Sequence, residues 1–514
     1  MWTGLAVLTV GLGLAAGRES LRLSRASRLP APPDAASLPP AVAERIGVAD
    51  RRARSAPASG DAVGALGLAY QANLLVSHAL AAYELAETLA PDDWRWPYAR
   101  SLVFEDRGDV DETVGALERA LHLNEGLAAG WYRLGDAEFK RGRYEEALSA
   151  FARVDAWEGG GAPAGGAPEG SRTPPASAYA AFGRARVAWQ RGDADEVTRL
   201  LEPVVNGAGA DFGPAHRLLA QAERRLDHPD RASRHERRAD ALGAYVPLSD
   251  AFVDTLCRES AHSTFLLKHA ALAARARNPR WREWLLRRAI DVDPTNPDVV
   301  FEMATMLQAT SRSTEALELY RRHETLVPGE VQTQVQIGKC LTALNRLDEA
   351  EAVLRRAAAR GDAVASYNLG ELLDRTNRDD EAAGQYAAAL AIDPFHARAL
   401  NNLALVLTRK GRMGDALPLY ERAVAAAPND PDPRNNLGSA WLQMGRVREA
   451  VASFEEALAI DPDHVDALNN IAIGLQALGR RDDALSYLRR ALALSPSHVG
   501  ARQNLRELGG EHRP

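Results

Sequence analysis

Apolar residues in the C-terminal half of the chain follow a helical pattern that repeats. The stretches beginning at Leu400, Arg434 and Leu468 align with one another at a step of 34 residues. In each stretch, two runs with apolar residues at helical spacing are separated by a short polar turn, and a proline closes the second run. The pattern therefore predicts a helix–turn–helix unit that recurs along the chain.

The same register continues towards the N-terminus and predicts about twelve units. Positions are counted here from the first residue of each unit, and the fourth, seventh, eighth and eleventh positions of the first helix are predicted to face the core. The predicted units start near Gly60, Trp94, Ala128, Ala178, Gly213, Ser263, Pro297, Val331, Ala363, Ala397, Pro431 and Val465.

One unit shows the pattern with all its characteristic residues. The unit that starts at Pro431 has large apolar, small and closing residues at Leu437, Gly438, Trp441, Ala450, Phe454, Ala457 and Pro462. This arrangement resembles the tetratricopeptide-repeat family. The resemblance implies an all-α fold, a right-handed superhelical solenoid of about twelve helix-turn-helix repeats. Small residues such as Gly438 and Ala450 are expected to let the two helices of a unit approach closely.

Two stretches interrupt the repeats. Residues 158–177 are rich in Gly and Pro and are predicted to form a mobile loop, whereas residues 240–262 lack the repeat signature and are predicted to form a non-repeat joint. The predicted order is a hydrophobic signal or membrane anchor with a basic flank (1–28), a Pro-rich spacer and short helix (29–59), repeats 1–3 (60–157), the loop (158–177), divergent repeats 4–5 (178–239), the joint (240–262), repeats 6–12 (263–498), and a capping helix with its tail (499–514).

The N-terminal segment differs in composition from the repeats. Residues 2–17 carry no charge, and Arg18, Arg22, Arg25 and Arg28 follow them. A membrane-spanning helix needs about 17–25 apolar residues, so residues 1–17 have a marginal length for a tether. The arginines favour a cytoplasmic location for the chain that follows. Cleavage near residues 15–17 would instead export the repeats, and a short helix without a membrane role is the third interpretation.

Composition and motifs exclude several classes of function. The net charge is −7 over 514 residues without a concentrated basic patch, which argues against a nucleic-acid partner. Cys257 and Cys340 stand alone and are predicted to be ordinary buried thiols. Phosphate-binding loops, metal-ligand pairs and nucleophile motifs are missing from the sequence. We therefore expect no enzyme activity, no cofactor and no small-molecule substrate. The high content of Ala, Arg and Gly suggests a bacterial source.

The sixth position of the first helix carries the candidate binding residues. It lies about 200° around the helix from the eighth, core-facing position, at about 100° per residue, and is predicted to face the concave groove. We call the side chains at this position the amide ladder; they are Gln336, Asn368, Asn402, Asn436, Asn470 and Asn504. A carboxamide both donates and accepts hydrogen bonds, so a ladder of them can pair with the backbone of an extended peptide. Arg375 and Arg409 lie on the same stripe.

The array is also similar to the repeat domain of the O-linked N-acetylglucosamine transferases, in which asparagines at the matching place hold peptide backbone. Alternatively, asparagine is only the preferred residue at this position and hydrogen-bonds between helices. The sequence thus predicts a non-catalytic scaffold that binds a protein or an extended peptide along the groove. A substrate-recruiting regulatory subunit of a separate enzyme or membrane complex is the alternative.

Overall fold

The computed structural model describes residues 26–158, 174–242, 248 and 250–510. Within these ranges the chain forms 27 α-helices and one short 3₁₀ helix, and no strand. Most of the predicted hydrophobic anchor and most of the predicted Gly/Pro-rich loop lie outside the described residues. None of the helices that the structure does describe has the length and apolar character needed to cross a membrane. The all-α, repeat-based fold that the sequence predicts is confirmed.

The chain divides into two compact units, residues 1–303 and 304–514. The first unit contains α1 (Pro40–Ser55), α2 (Gly60–Ala72), α3 (Val76–Leu89), α4 (Arg95–Arg107), α5 (Val110–Leu123), α6 (Ala128–Lys140), α7 (Tyr144–Glu158), α8 (Ala176–Gln190), α9 (Ala194–Val205), α10 (Gly213–Arg225), α11 (Pro229–Leu242), α12 (Ala251–Glu259), α13 (Ser263–Arg275) and α14 (Pro279–Val292). Helix α15 (Pro297–Ala309) includes the division between the units.

The second unit continues with α16 (Ser313–Leu326), α17 (Val331–Ala343), α18 (Leu347–Ala358), α19 (Ala363–Arg375), α20 (Asp379–Ile392), α21 (Ala397–Arg409), α22 (Met413–Ala426), α23 (Pro431–Gln443), α24 (Val447–Ile460), α25 (Val465–Ala477), α26 (Arg481–Leu494) and α27 (Val499–Gly510). Successive helices pair into hairpins, and each hairpin packs against the next. The first helices of these hairpins begin at the residues where the 34-residue pattern starts its units.

Each turn within a hairpin uses a left-handed backbone conformation. Gly411, Gly445 and Gly479 have φ values of 72°, 75° and 76°, and Asn345 and Asn377 take the same role with φ values of 57°. Glycine and asparagine tolerate this conformation better than other residues do, and it lets the following amide bond back to the end of the first helix. These residues therefore end the first helix and direct the chain into the second.

A glycine at the eighth position of the first helix makes room for a ring on the second helix. A Cβ added to Gly438 would lie 2.6 Å from Cε1 of Phe454, and one added to Gly370 would lie 2.6 Å from Cε1 of Tyr386. Both rings are fully buried. The small residue thus sets the distance between the two helices of a hairpin, as the sequence predicts.

The Pro-rich spacer is partly packed, although its prolines favour an extended backbone. Leu29 is buried in the same apolar cluster as Val42 and Ile46 of α1. The Arg54 guanidinium donates a hydrogen bond to the carbonyl oxygen of Pro30 at 3.1 Å. Proline fixes φ but does not prevent a neighbouring leucine from burying its side chain, and this burial ties the start of the spacer to α1.

Two segments outside the regular hairpins are also helical. The predicted joint contains α12, a nine-residue helix that packs against α2 within the first unit. The final helix, α27, buries Ala501 and Leu508 against the last hairpin. This placement covers apolar surface at the end of the array, which is what a capping helix does.

Candidate functional site

The amide ladder lies along the first helices of the second unit. Its six members belong to α17, α19, α21, α23, α25 and α27, and each side chain is half-buried. Asparagines also stand at the neighbouring fifth position. Asn435 and Asn469 are buried, with 7% and 8% exposure, whereas Asn401 is half-buried like the ladder itself. The ladder thus forms the outer edge of a row of amides that extends into the interior.

Hydrogen bonds join the ladder to the fifth-position asparagines of the preceding repeat. The Nδ2 amide of Asn436 donates to Oδ1 of Asn401 at 2.9 Å. Asn470 donates to Asn435 at 3.0 Å, and Asn504 donates to Asn469 at 2.8 Å. Each of these bonds connects residues 35 positions apart and so crosses from one hairpin to the next. A net contribution of about 0.5–1.5 kcal/mol is typical of such a bond.

The N-terminal end of the ladder differs because the fifth position changes. Tyr367 stands at this position before Asn402, and its hydroxyl lies 3.5 Å from the Asn402 amide, at the limit for a hydrogen bond. Val335 stands there before Asn368 and offers no acceptor. Asn368 instead donates to the carbonyl oxygen of Val364 in its own helix, at 2.6 Å. Gln336 occupies the same place on α17.

The ladder therefore has a bonding role between repeats, which the sequence left as an alternative to peptide binding. A carboxamide has two N–H donors and an oxygen with two lone pairs. The bond from Asn436 to Asn401 engages one of these four sites on Asn436. Bonds to the neighbouring repeat orient such a side chain without exhausting its capacity, so the peptide-binding role stays a prediction.

The two arginines on the stripe have different surroundings. Arg375 is exposed at the end of α19. Arg409 forms ion pairs with Asp374 and, at 2.8 Å, with Asp379 of the preceding hairpin. Hydrogen bonding to Arg409 lowers the pKa of the Asp379 carboxyl below its usual range. Arg409 thus acts between repeats, whereas Arg375 presents its charge to solvent.

Histidines cap the first helices of some repeats, a role that was not predicted from the sequence. Nδ1 of His464 accepts the backbone N–H of Ala467 at 3.1 Å and so caps α25. Its Nε2 lies 2.9 Å from Oδ1 of Asp432 on the preceding first helix. His498 repeats both contacts one unit later, with Asp466 as the carboxylate. A proline two residues before each histidine recurs at the 34-residue step and could have revealed this cap.

The first unit has a residue pair at the same two positions, and it binds a segment of the chain. Arg133 is the sixth residue of its unit and Tyr98 is the fifth residue of the unit before, so they are also 35 positions apart. The Tyr98 hydroxyl donates to Oδ2 of Asp250 at 2.7 Å, and the Arg133 guanidinium lies 3.2 Å from the same oxygen. Asp250 comes from the non-repeat joint. This pair of positions therefore faces a surface that holds another segment.

The two cysteine thiols are also candidate reactive groups. Cys257 and Cys340 are buried and unpaired, as predicted. Burial raises the pKa of the Cys257 thiol to about 12 and that of Cys340 to about 11. Among the described residues, no group of three or more His, Cys, Asp or Glu side chains is arranged to hold a metal ion.

Helical hairpins that pack in sequence, with small residues such as Gly370 and Gly438 facing the rings of the second helix and with amides bonded between repeats of the second unit, define a helical-repeat protein. Models of the tetratricopeptide repeat match residues 98–161, 337–397, 395–463 and 430–497. The chain is a tetratricopeptide-repeat protein. Such repeats generally serve as non-catalytic scaffolds, and proteins of this family bind protein or peptide partners. A protein–protein interaction scaffold is the class of function that this fold indicates.

Solved structures with detectable similarity include several repeat proteins. YrrB, described as a tetratricopeptide-repeat protein with an unusual peptide-binding site, shares 24% identity over 36% of this chain and 97% of its own, with a TM-score of 0.31. Yeast Tom70 shares 17% identity over 88% of this chain and 95% of its own, with a TM-score of 0.38. PilF of Pseudomonas aeruginosa shares 17% identity over 42% and 98%, with a TM-score of 0.38. No curated protein matches the sequence significantly.

Proposed function

We propose that the protein is a scaffold whose second unit binds an extended peptide or protein segment along the amide ladder. The observation that carries the proposal is the Tyr98–Arg133 pair of the first unit, which holds the Asp250 carboxylate at the fifth and sixth positions. The ladder occupies the same positions in the second unit. Residues placed alike on equivalent hairpins face equivalent surfaces, and this equivalence supports contact between the ladder and a bound segment.

The chemistry of the ladder suits the backbone of a ligand more than any particular side chain. Asparagine amides at one per repeat can pair with peptide N–H and C=O groups, as in other complexes where main-chain bonds give affinity. Bonds to the preceding repeat hold these amides in position before binding, which reduces the entropy lost on association. Exposed charges beside the ladder, such as Arg375 and Asp466, would then select among sequences.

The test compares two sets of variants that disturb the same bonds between repeats. The ladder set is Asn402→Ala, Asn436→Ala and Asn470→Ala in one chain, and the control set is Asn401→Ala, Asn435→Ala and Asn469→Ala in another. Both sets remove the bonds from Asn436 and Asn470 to the preceding repeat. Only the ladder set removes the outer amides that a ligand would reach.

Peptides selected from a random library on the intact protein would serve as probes in fluorescence anisotropy. We expect the ladder set, which loses three amides that would each contribute about 0.5–1.5 kcal/mol, to weaken binding at least tenfold. The control set loses only the pre-orientation of those amides and should weaken binding several-fold less than the ladder set. Circular dichroism checks that both variants stay folded. Equal losses in the two sets, or no loss in either, would exclude the ladder as the binding surface.

The N-terminal segment supports a separate proposal about location. The uncharged residues 2–17 and the arginines after them suggest a membrane tether. Flotation of the full chain with membranes, compared with a chain that lacks residues 1–28, tests this. Recovery of both chains in the soluble fraction would reject the tether, and a shortened N-terminus by mass spectrometry would indicate cleavage and export.

A further inference from the structure

A short segment of the first unit lies on the helices that would form its binding surface. Residues 250–261 include α12, which packs against α2. The ring of Phe252 meets that of Tyr98 on α4 edge-on, with centroids 5.6 Å apart. Asp250 reaches Arg133 on α6. The segment thus contacts the first helices of three successive repeats, α2, α4 and α6, in the manner of a ligand.

The carboxylate of Asp250 makes the most specific contacts of this segment. One oxygen accepts the backbone N–H of Phe252 at 3.0 Å and so caps α12. The other oxygen accepts the Tyr98 hydroxyl and lies 3.2 Å from the Arg133 guanidinium. Asp250 is 8% exposed. A buried carboxylate is stable only with such partners, so this residue specifies where the helix docks.

The C-terminal end of the segment is held by two hydrogen bonds to the end of α2. The Ser260 hydroxyl donates to the carbonyl oxygen of Ala72 at 2.7 Å, and the Ala261 amide donates to Oδ1 of Asn73 at 2.9 Å. Ser260 is fully buried. Residues 260 and 261 therefore anchor the segment. If residues 250–259 left the surface, α12 would stay attached to the protein through this anchor.

Helix α12 is short and only partly buried. Only Leu256 and Cys257 of its nine residues are fully buried. An isolated helix of this length is unstable in water, so its structure depends on docking. In the described part of the second unit, the first helices pack against neighbouring repeats and α12 has no counterpart.

We propose that residues 250–259 are a built-in ligand that occludes the binding surface of the first three repeats, and that a partner segment of the same chemistry displaces them. That chemistry is an aspartate or glutamate at the cap of a short helix whose apolar face follows it. The carboxylate replaces Asp250 at Tyr98 and Arg133, and apolar residues two and six positions later replace Phe252 and Leu256. This inference concerns the first unit and is independent of the amide ladder in the second.

The test changes the occupant and leaves the surface intact. In the full-length chain, Asp250→Asn removes the charge held by Tyr98 and Arg133 while asparagine still caps the helix. The probe is a labelled peptide with the sequence of residues 250–261 and serine in place of Cys257. We expect it to bind the Asp250→Asn chain at least tenfold more tightly than the unchanged chain, because the internal competitor is weakened.

Two further variants test whether the effect depends on the contact between Asp250 and Arg133. Glu259→Gln alters another carboxylate of the same segment, one that pairs with Arg45 at the surface, and should leave peptide affinity within about twofold, as exposed ion pairs contribute little. Adding Arg133→Met to Asp250→Asn removes the partner of the carboxylate and should abolish binding. Unchanged circular dichroism shows that each chain is folded.

Maleimide labelling of Cys257 gives a readout that needs no peptide. Cys257 is 1% exposed on α12, and Cys340, in the second unit, serves as an internal reference. Release of α12 in the Asp250→Asn chain should speed labelling of Cys257 at least tenfold and leave Cys340 unchanged. If labelling of Cys257 does not change and the peptide does not bind, α12 is a permanent part of the fold and the proposal is wrong. Loss of ladder binding in the second unit would not affect either readout.

Discussion

The glycine that faces a ring inside the α19–α20 hairpin allows a test that separates packing from helix propensity. Gly370 on α19 and Gly384 on α20 belong to the same repeat. A Cβ at residue 370 would lie 2.6 Å from Cε1 and 2.7 Å from Cδ1 of the buried Tyr386, whereas one at residue 384 would meet nothing within 4 Å. Alanine at residue 370 is therefore expected to destabilise the hairpin, and alanine at residue 384 to stabilise it.

The difference between the two variants measures the packing term. Replacing a helical glycine by alanine stabilises a helix by about 0.5–1 kcal/mol, and this gain applies to both sites. Inserting one carbon into a filled core costs about 1–3 kcal/mol, and this cost applies only to Gly370→Ala. We expect the free energies of local unfolding to differ by about 1–3 kcal/mol, with Gly384→Ala above the unchanged chain.

Hydrogen exchange read by mass spectrometry is the suitable assay, because repeat arrays open locally and need not unfold in one step. Protection is measured for peptides from α19 and α20 in the full chain. Equal stabilisation by both variants would show that the hairpin has room for a Cβ beside Tyr386. The argument that a small eighth residue sets the distance between the helices would then fail for this repeat.

Three further predictions concern single side chains. Burial raises the pKa of Asp254 from 3.8 to about 6 against the favourable charge of Arg258, so docking of α12 carries a penalty that is full above pH 6, declines as the pH falls through 6, and vanishes only below the unfolded pKa of 3.8. After a discount for partial exposure, Asp254→Asn should add about 1–2 kcal/mol to the protection of α12 at pH 7.5 and about a third of that at pH 4.5. Equal gains at both pH values would contradict this pattern. His464→Ala should lower protection in the first turn of α25 by about 1 kcal/mol through loss of the cap, and unchanged exchange there would show that the cap contributes nothing. In the unchanged chain, Cys257 and Cys340 should react with maleimide at least about a hundredfold more slowly than in urea, and fast labelling of either would contradict its burial.

The parts of the fold that depend on local pattern were predictable from the sequence. Helices α21, α23 and α25 begin at Ala397, Pro431 and Val465, where the 34-residue pattern starts its units. Apolar spacing and turn glycines act within a few residues, so a single sequence contains the information needed to place them. The packing of Gly438 against Phe454 followed from the same register because both residues lie in one hairpin.

The candidate site was only partly predictable. A helical wheel places the sixth position towards the surface, and the ladder is half-buried there. The wheel treats each helix alone, however, and so missed the bonds from Asn436 and Asn470 to the fifth position of the repeat before. The doublet Asn435–Asn436, which recurs as Asn401–Asn402 and Asn469–Asn470, was the available signal. The docking of Asp250 on Tyr98 and Arg133 joins residues more than a hundred positions apart without any periodicity, and no local pattern predicts it.

The 35-residue offset of the ladder bonds also bears on how the array can change length in evolution. A unit such as residues 431–464 carries both a donor, Asn436, and an acceptor, Asn435, for bonds with its two neighbours. Duplicating or deleting that whole unit would restore every amide pair at the new junctions. A unit with valine at the fifth position, like that of Val335, interrupts the row instead. Growth by gene duplication is therefore easiest within the asparagine-bearing units, because a copied unit of this kind keeps its hydrogen bonds to both neighbours.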